Sequence, residues 1–305
     1  GFYLCVLFRL LFYRYDIIYV HTISHPIPII FFLNLFLRLP LVFNVHGSDV
    51  LTRGKLSKCL KNLARSSLRK SLLVVSPSFF FKDVLLREFP FLLEDKIFVS
   101  PSGGVNDLFY ERMDRSVGAV PTIGYVSHIK FQKGFDVLLK AVSLLKKRGV
   151  ECKVIFAGRD VQGKDLSRLS DELSILDCVE YLGPVPHASL PQVFRRFDLF
   201  VFPTCLEESL GLVGLEAMAC GVPVVGSRIG GLTDYIKDGE NGFFFATGDA
   251  IDLSEKIIHY FSLSIQQKKK LSLNAYDTAL AYKSSVVQQA LYFKLQDIVA
   301  DKNKE

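Results

Sequence analysis

The sequence of 305 residues lacks the clustered cysteines and histidines of metal-bound or disulfide-bonded domains. Its six cysteines are scattered, none forms a Cys-x-x-Cys pair, and no group of histidines accompanies them. This distribution indicates neither a zinc site nor a disulfide framework. We therefore expect buried free thiols in a reducing cytoplasm.

The sequence also lacks a hydrophobic run of the length that crosses a membrane. Its most apolar stretch, Ile27 to Leu37, is about half as long as a spanning helix and is followed by Arg38 and Pro40. The apolar run that starts at Phe2 is broken by charged residues and has no small-residue cleavage site, which argues against a secretory signal. We expect a cytoplasmic protein.

Acidic residues are absent from Val50 to Lys82, and basic residues crowd together there. Apolar and small residues recur at helical spacing in the same segment, which predicts a helix with an apolar stripe beside a basic face. The stripe is Leu56, Cys59, Leu60, Leu63, Ser67 and Leu68, and the basic residues are Arg53, Lys55, Lys58, Lys61, Arg65, Arg69 and Lys70.

Two interpretations of this basic helix stay open. It can lie on an anionic membrane, which would place the protein at the inner face of the plasma membrane. It can equally be an ordinary surface helix whose stripe packs on the core. A nucleic-acid partner is not expected, because the segment lacks interleaved aromatic residues and any known binding module.

Short apolar runs alternate with helical patterns along most of the chain. Continuous rather than alternating apolarity predicts parallel strands that are covered on both faces, and hence a doubly wound α/β protein. Amphipathic helices are predicted at Phe135–Arg148 and Ser254–Phe261. The predicted strands are Asp16–His21, Leu41–His46, Leu72–Ser76, Lys96–Pro101, Thr122–Ser127, Cys152–Ala157, Val179–Leu182, Asp198–Phe202, Pro223–Gly226 and Gly242–Ala246.

The alternation stops between Val105 and Pro121, so we predict a domain boundary near Asp114. Residues 1–114 and 115–282 then form two domains of the same Rossmann-like class. Residues 283–305 are purely helical in pattern and are expected to return toward the first domain. No internal repeat or low-complexity segment accompanies these domains.

Loops that lead from strands into helices are the expected ligand sites of such a sheet. After strand Thr122–Ser127, His128 and Lys133 precede a helix that begins near Gly134, and a cation beside free helix amides suits an anion. A single lysine can also be a solvated surface charge. The segment "GPVPH", residues 183–187, can offer backbone groups to a flat base.

A second loop carries two carboxylates, Glu208 and Glu216, in "EESLGLVGLEAMACGVPVV". Gly211 lets the backbone approach a ligand, and a helix that starts near Leu212 leaves the amides of Leu212 and Val213 free for a phosphate. An ionised carboxylate accepts two hydrogen bonds, which suits a vicinal diol. We interpret the carboxylates as hydroxyl clamps around a diphosphate, with a glycosidase-type acid–base pair as the alternative.

The segments "ESLGLVGLEAMACGVPVV" and "GGLTDYIKDGENGF" resemble the Glu-x7-Glu signature of glycosyltransferase family 4, retaining enzymes of the GT-B fold that use nucleotide sugars. "SHIKFQKGFDVLLKA" is similar to the family's Arg-x4-Lys-Gly phosphate loop. "SPSGGVNDLF" resembles the turn that closes the first domain, and "NVHGSD" the acceptor-side His-Gly loop. The resemblance implies two doubly wound Rossmann-like domains that face a cleft, an acceptor-side domain followed by a nucleotide-sugar domain.

The resemblance also implies roles for individual residues. By position, Glu208 would contact the donor sugar and Glu216 the ribose. Lys133 would neutralise the diphosphate, assisted by the backbone at Gly211 and by the amides of the two residues after it, Leu212 and Val213. No metal and no cofactor are implied.

Two further residues complete the predicted site. Val185 would lie near the base and His46 near the reacting centre, with a structural histidine at a strand end as the alternative for His46. The family usually has Arg at the position of His128, and a neutral imidazole is one donor where Arg is a permanent forked cation. Phosphate binding should then be weaker or dependent on pH.

The function implied is a retaining hexosyltransferase that moves a sugar from a nucleotide-sugar donor to a saccharide or lipid-linked acceptor in cell-surface polysaccharide synthesis. His46, Lys133 and Glu208 would be its catalytic residues. A degenerate, non-catalytic nucleotide-binding partner of a glycosyltransferase complex is the alternative. The opening strands of the family are absent, so we expect a fragment of a longer protein whose strand Asp16–His21 lies at an unpaired edge.

Overall fold

The structure is a computed structural model, and it describes residues 2–24, 26–51, 54–110, 120–161 and 164–302. The chain divides into two compact units, Gly1–Gly103 together with Val287–Glu305, and Gly104–Val286. The boundary predicted near Asp114 lies outside the described residues.

The first unit contains a sheet of four parallel strands in the order β1-β2-β3-β4. Its strands are β1 (Ile18–His21), β2 (Leu41–Asn44), β3 (Leu73–Ser76) and β4 (Ile97–Val99). Its helices are α1 (Phe2–Phe12), α2 (Ile27–Phe36), α3 (Gly47–Leu51), α4 (Lys55–Lys70) and α5 (Phe79–Glu88). Among the described residues β1 pairs with β2 alone, so it is an edge strand of this sheet.

The predicted basic helix is α4, and its apolar stripe is buried only in its second half. Leu68 of the stripe, like the neighbouring Ala64, is fully buried in the core of the first unit, whereas Leu56 is 73% exposed. On the basic face, Lys61 lies 3.3 Å from a carboxylate oxygen of Glu88. The second half of the helix is thus an ordinary core-packed surface helix, and its first half presents apolar and basic side chains to solvent.

The second unit contains a sheet of six parallel strands in the order β10-β9-β8-β5-β6-β7. Its strands are β5 (Thr122–Val126), β6 (Lys153–Ala157), β7 (Val179–Gly183), β8 (Leu199–Phe202), β9 (Val224–Ser227) and β10 (Gly242–Phe245). Its helices are α6 (Phe135–Lys147), α7 (Asp165–Glu172), α8 (Leu190–Phe194), α9 (Leu212–Ala219), α10 (Ala250–Ser262) and α11 (Ile265–Leu280).

Alternate residues of one central strand show why the strands are continuously apolar. In β8, Phe200 and Phe202 pack into one buried cluster, while Leu199 and Val201 pack into a second cluster. Successive side chains of a strand point to opposite faces, so both faces of this sheet are covered. This confirms the α/β class that the sequence predicts, with a parallel sheet in each unit.

The last helix, α12 (Ser284–Lys302), supplies side chains to the first unit. Leu291, Leu295 and Ile298 pack against Val42 and Val75 of its sheet. The first unit is therefore built from two segments of the chain, because residues after Val287 cover one face of a sheet whose strands all precede Gly103.

Two sequence predictions need correction. The helix predicted at Ser254–Phe261 begins at Ala250, because the Asp249 side chain accepts hydrogen bonds from the amides of Ile251 and Asp252 and so caps an earlier start. The thiols are free, but Cys5, Cys59 and Cys205 are exposed, Cys178 and Cys220 are half-buried, and Cys152 alone is buried. The expectation of buried thiols was wrong for those three because they lie on solvent-facing positions of helices and a loop.

Candidate functional site

The candidate site of the second unit lies where the strand order of its sheet reverses. From β5 the chain adds β6 and β7 on one side, and it then returns to place β8 directly beside β5 on the other. Ligands of open parallel sheets bind at the carboxyl ends of strands at such a switch point. The loops that follow these two strands carry Lys133 and Glu208, so the sheet brings the two predicted residues together.

The loop after β5 is tied to the loop after β8 by backbone contacts. Gly134, with φ of 71°, ends the 3-10 turn Phe131–Lys133 in the left-handed region and precedes α6. A Cβ at this glycine would lie 1.8 Å from the carbonyl oxygen of Pro203, so no other residue fits. The Cys205 amide also donates to the Gln132 carbonyl at 3.0 Å.

Lys133 and Glu208 form an ion pair between Nζ and Oε1. The Thr204 hydroxyl donates to the same carboxylate oxygen at 2.8 Å, and Thr204 is fully buried. The Lys133 and Glu208 side chains are 19% and 17% exposed. Two donors thus orient the Glu208 carboxylate, whose negative charge balances that of Lys133. Both side chains remain partly exposed and can still contact a ligand.

Helix α9 begins at Leu212, as the sequence predicts, directly after Gly211. Gly211 has φ of 83° and provides no capping side chain. No backbone acceptor for the amides of Leu212 and Val213 is found among the described residues. The positive end of this helix therefore presents free donors beside the Glu208 loop, which suits an anion.

Glu216 lies further along α9 and has different surroundings. The residue is 8% exposed, and its Oε1 accepts a hydrogen bond of 2.8 Å from His187 Nε2. Burial raises the pKa of the Glu216 carboxyl, while the contact with His187 lowers it. The ring of His187 packs 5.2 Å from the ring of Phe109.

His187 is a residue of this site that the sequence analysis did not identify. The segment "GPVPH" was considered only for its backbone groups, and no local pattern pairs a histidine after β7 with a carboxylate on α9. Val185, from the same segment, is half-buried and packs against the buried cluster that contains Phe200 and Phe202. His128 is exposed; its carbonyl accepts a hydrogen bond from the Tyr125 hydroxyl at 2.9 Å.

His46, in the first unit, follows β2 and sits beside a buried carboxylate. Its amide donates to Asp49 Oδ1 at 2.9 Å, and the Ile23 amide donates to Asp49 Oδ2 at 3.0 Å. Burial raises the pKa of the Asp49 carboxyl against these hydrogen bonds, which lower it. The imidazole of His46 lies parallel to that of His21, with ring centres 6.1 Å apart. Neither Asp49 nor His21 was predicted as a site residue from the sequence.

The carboxyl ends of β1 and β2 open onto a cavity of about 350 Å³ in the first unit. Its polar lining comes from His21, Asn44, Ser100 and Ser102, and its apolar lining includes two leucines of α12. Within the described ranges no group of three or more acidic, histidine or cysteine side chains is placed to hold a metal ion. Nor does any described helix have the length and apolarity to cross a membrane.

Comparisons with known proteins identify the class. A family model described as glycosyl transferases group 1 matches residues 114–278, and a model described as glycosyltransferase family 4 matches residues 2–103. The chain therefore belongs to the group 1 glycosyltransferases. This confirms the family that the Glu-x7-Glu segment predicts.

The chain matches only part of the length of its curated relatives. The chain is 36% identical over 162 residues to D-inositol 3-phosphate glycosyltransferase of Corynebacterium jeikeium, a match to 50% of this chain and 38% of the relative. It is 29% identical over 247 residues to an uncharacterized glycosyltransferase of Methanocaldococcus jannaschii, or 76% of this chain and 62% of the relative. The chain thus spans less than two thirds of the length of these relatives.

Solved structures share the fold. HepE of Anabaena, crystallised in complex with UDP, superposes with a TM-score of 0.83 at 22% identity, covering 97% of this chain and 82% of that one. A glycosyltransferase from Rickettsia africae gives a TM-score of 0.83 at 20% identity, covering 97% and 80%. The fold is that of the GT-B glycosyltransferases, as predicted.

Proposed function

We propose that the chain acts as a retaining hexosyltransferase that uses a nucleotide-sugar donor. The observation that carries this proposal is the arrangement at the β5/β8 switch point. An ion-paired lysine and carboxylate, Lys133 and Glu208, stand beside the free amides of α9, and a second carboxylate, Glu216, follows on the same helix. Positive charge next to hydroxyl acceptors suits a sugar diphosphate.

In this proposal Lys133 and the amides of Leu212 and Val213 stabilise the diphosphate as it leaves. Negative charge grows on the leaving group in the transition state, so donors that are already oriented lower the barrier. The positive charge comes from the chain itself. We therefore expect transfer to proceed in the presence of a divalent-metal chelator.

The two carboxylates take different parts of the donor. Glu208 accepts hydrogen bonds from the sugar hydroxyls once the incoming diphosphate competes for Lys133, and Thr204 keeps its carboxylate in place. Glu216 accepts from the ribose diol, and Val185 lies near the base. His46, held through its amide by Asp49, is proposed at the acceptor side, where its role stays a prediction.

We propose a saccharide or lipid-linked acceptor of cell-surface polysaccharide synthesis, reached from a membrane surface. The first half of α4 supports this, because exposed Leu56 is flanked by the exposed basic residues Lys55 and Lys58. Each basic residue near an anionic surface contributes about 1 kcal/mol. Co-sedimentation with anionic vesicles should exceed that with neutral vesicles and fall at high salt. Equal binding to both would contradict the membrane contact.

The alternative, a non-catalytic nucleotide-binding partner, is favoured by one observation. The exposed imidazole of His128 occupies the position of the family's Arg and makes no hydrogen bond to a described residue. Such a chain would bind the nucleotide and neither transfer nor hydrolyse the sugar.

The experiment is a thermal-shift screen of nucleotide sugars followed by calorimetry with the nucleoside diphosphates UDP, ADP and GDP. UDP comes first because the structural relative HepE was crystallised with it. A donor at a hundredfold over its dissociation constant should add about 2.7 kcal/mol of stability. Glu255→Gln, at an exposed carboxylate, is the matched control for variants of Glu208 and Glu216 and should be stabilised as the wild type is. No stabilisation of the wild type by any donor would contradict the proposal.

A further inference from the structure

One contact beside the proposed donor site has no role in the function described so far, the hydrogen bond of 2.8 Å from His187 Nε2 to Glu216 Oε1. We propose that His187 is a positioning residue, which holds one carboxylate oxygen of Glu216 so that the group meets a bound nucleotide in a single orientation. This inference rests on the proposed function, because that function assigns Glu216 to the nucleotide.

The two partners come from different elements and differ in exposure. His187 opens a 3-10 turn, His187–Ser189, between β7 and α8, whereas Glu216 lies on α9. The His187 side chain is 58% exposed and that of Glu216 is 11% exposed. The imidazole therefore approaches the inward-lying carboxylate from the solvent side. Its ring also packs on Phe109, so its orientation is set by two contacts.

The rest of the Glu216 carboxylate stays available to a ligand. Its second oxygen, Oε2, accepts no hydrogen bond from the described residues. This oxygen is also absent from the described polar atoms that are enclosed without a partner, so it is accessible from outside. Each carboxylate oxygen has two lone pairs. A diol can thus use Oε2 and the remaining lone pair of Oε1 while His187 keeps its own hydrogen bond.

His187 also bears on the ionisation of its partner. Burial raises the pKa of Glu216, and the contact with His187 lowers it. Without this contact the effect of burial is unopposed, and a protonated carboxyl loses acceptor capacity toward a diol.

The other ionisable groups on elements packed around α9 have partners elsewhere or face solvent, and α8 carries none. Those with partners are Asp107, which pairs with Lys283; Tyr110, which donates to the Ala279 carbonyl; Cys220, which contacts the Phe109 carbonyl; Tyr235, which donates to the Gly211 carbonyl; Tyr276, which packs on Tyr110; and Lys268, which donates to the Phe261 carbonyl. Lys269, Lys270 and Asp277 of α11 are exposed.

The test is calorimetry of the full chain with the nucleoside diphosphate that the wild type binds among UDP, ADP and GDP, repeated between about pH 5 and 8, where a histidine titrates. We expect His187→Ala to weaken binding about two- to tenfold, the usual worth of one hydrogen bond. The loss of binding affinity on the acid side of the pH profile, its acid limb, should also move to higher pH. The reason is that the Glu216 carboxyl, without the contact to His187, becomes protonated at a higher pH. His187→Gln keeps a donor and should recover most of the affinity.

The matched control is His259→Ala, because His259 is also an exposed imidazole of the second unit and its ring lies 5.2 Å from that of Phe243. It should bind as the wild type does. If His187→Ala does not fold, His187→Leu keeps a packing contact without a donor and carries the same expectation.

Three results would overturn the proposal. Wild-type affinity and pH dependence in His187→Ala, with Glu216→Ala still weakened, would remove the role of His187 and leave the proposed function standing. Equal losses in the Ala and Gln variants with an unmoved acid limb would assign His187 to folding alone. Failure of the wild type to bind any of the diphosphates would overturn both proposals.

Discussion

Glu208 and Glu216 are the same side chain on either side of the start of α9, yet their surroundings differ. Glu208 faces a lysine and a buried threonine hydroxyl, so its carboxylate has a cation and a neutral donor. Glu216 is buried along the helix, and burial raises its pKa against the single contact with His187. The neighbouring groups, rather than the residue type, therefore decide what each carboxylate can do.

The largest expected effect is on the Glu208 side. We expect Lys133→Ala to lower kcat by about a hundred- to a thousandfold, as removal of one donor to a developing charge does, and to weaken donor binding much less. Initial rates over a range of donor concentrations separate the two quantities. Lys140→Ala, which removes an exposed lysine of α6 paired with Asp136, is the control. An equal loss in binding and turnover would mean that Lys133 serves the ground state.

The next effect is on the Glu216 side. Glu216→Ala removes hydrogen bonds to a charged acceptor, worth about 1.5–3 kcal/mol, so affinity for the free nucleoside diphosphate should fall roughly tenfold or more. Calorimetry measures this directly. Unchanged affinity in a folded variant would show that the buried carboxylate does not contact the nucleotide.

Replacing each carboxylate by the neutral Gln should shift Tm at neutral pH in opposite directions. The raised pKa of Glu216 means that the folded chain keeps a proton over a pH range in which the unfolded chain has lost it. The associated stabilisation is present at low pH and is lost as the pH rises through the folded-state pKa. Glu216→Gln should therefore raise Tm at neutral pH and lose this advantage in acid. Glu208→Gln should lower Tm at neutral pH, because it leaves Lys133 without its ion pair.

Both changes in the free energy of unfolding should be on the order of 1 kcal/mol. Thermal melts of the two variants and the wild type at acidic and neutral pH make the measurement. A fall in Tm for both Gln variants at neutral pH would mean that the two carboxylates are equivalent in the folded chain.

A smaller effect is expected from the loop after β5, which carries Lys133, the partner of Glu208. His128→Arg adds a permanent cation at the position where the family has one, so activity should stay level or rise by a few-fold. Because a histidine changes charge between about pH 5 and 8 and Arg does not, the rate profile should also become flatter. Rates measured across this range decide it, and a loss of activity would give the imidazole a role of its own.

Much of the fold and part of the site could be predicted from local sequence. The run Asp198–Phe202 predicted a strand, and β8 occupies Leu199–Phe202. The glycine before Leu212 predicted the start of α9 correctly. The start of α10 was predicted four residues too late. The helix begins at Ala250 because the Asp249 side chain accepts hydrogen bonds from two amides, and Asp249 follows closely on the strand-like "GFFFA".

Local sequence by itself determined the elements and the candidate residues, because hydrophobic period, glycine and charge act within a few positions of the chain. Lys133 and Glu208 could each be proposed in this way. Their pairing could not, since it required β8 to return beside β5 across the sheet. The contact between His187 and Glu216, and the burial that raises the pKa of Glu216, likewise arise only when β7, α8 and α9 pack together. Long-range packing sets these distances and the local dielectric, and neither is written in any single stretch of the chain.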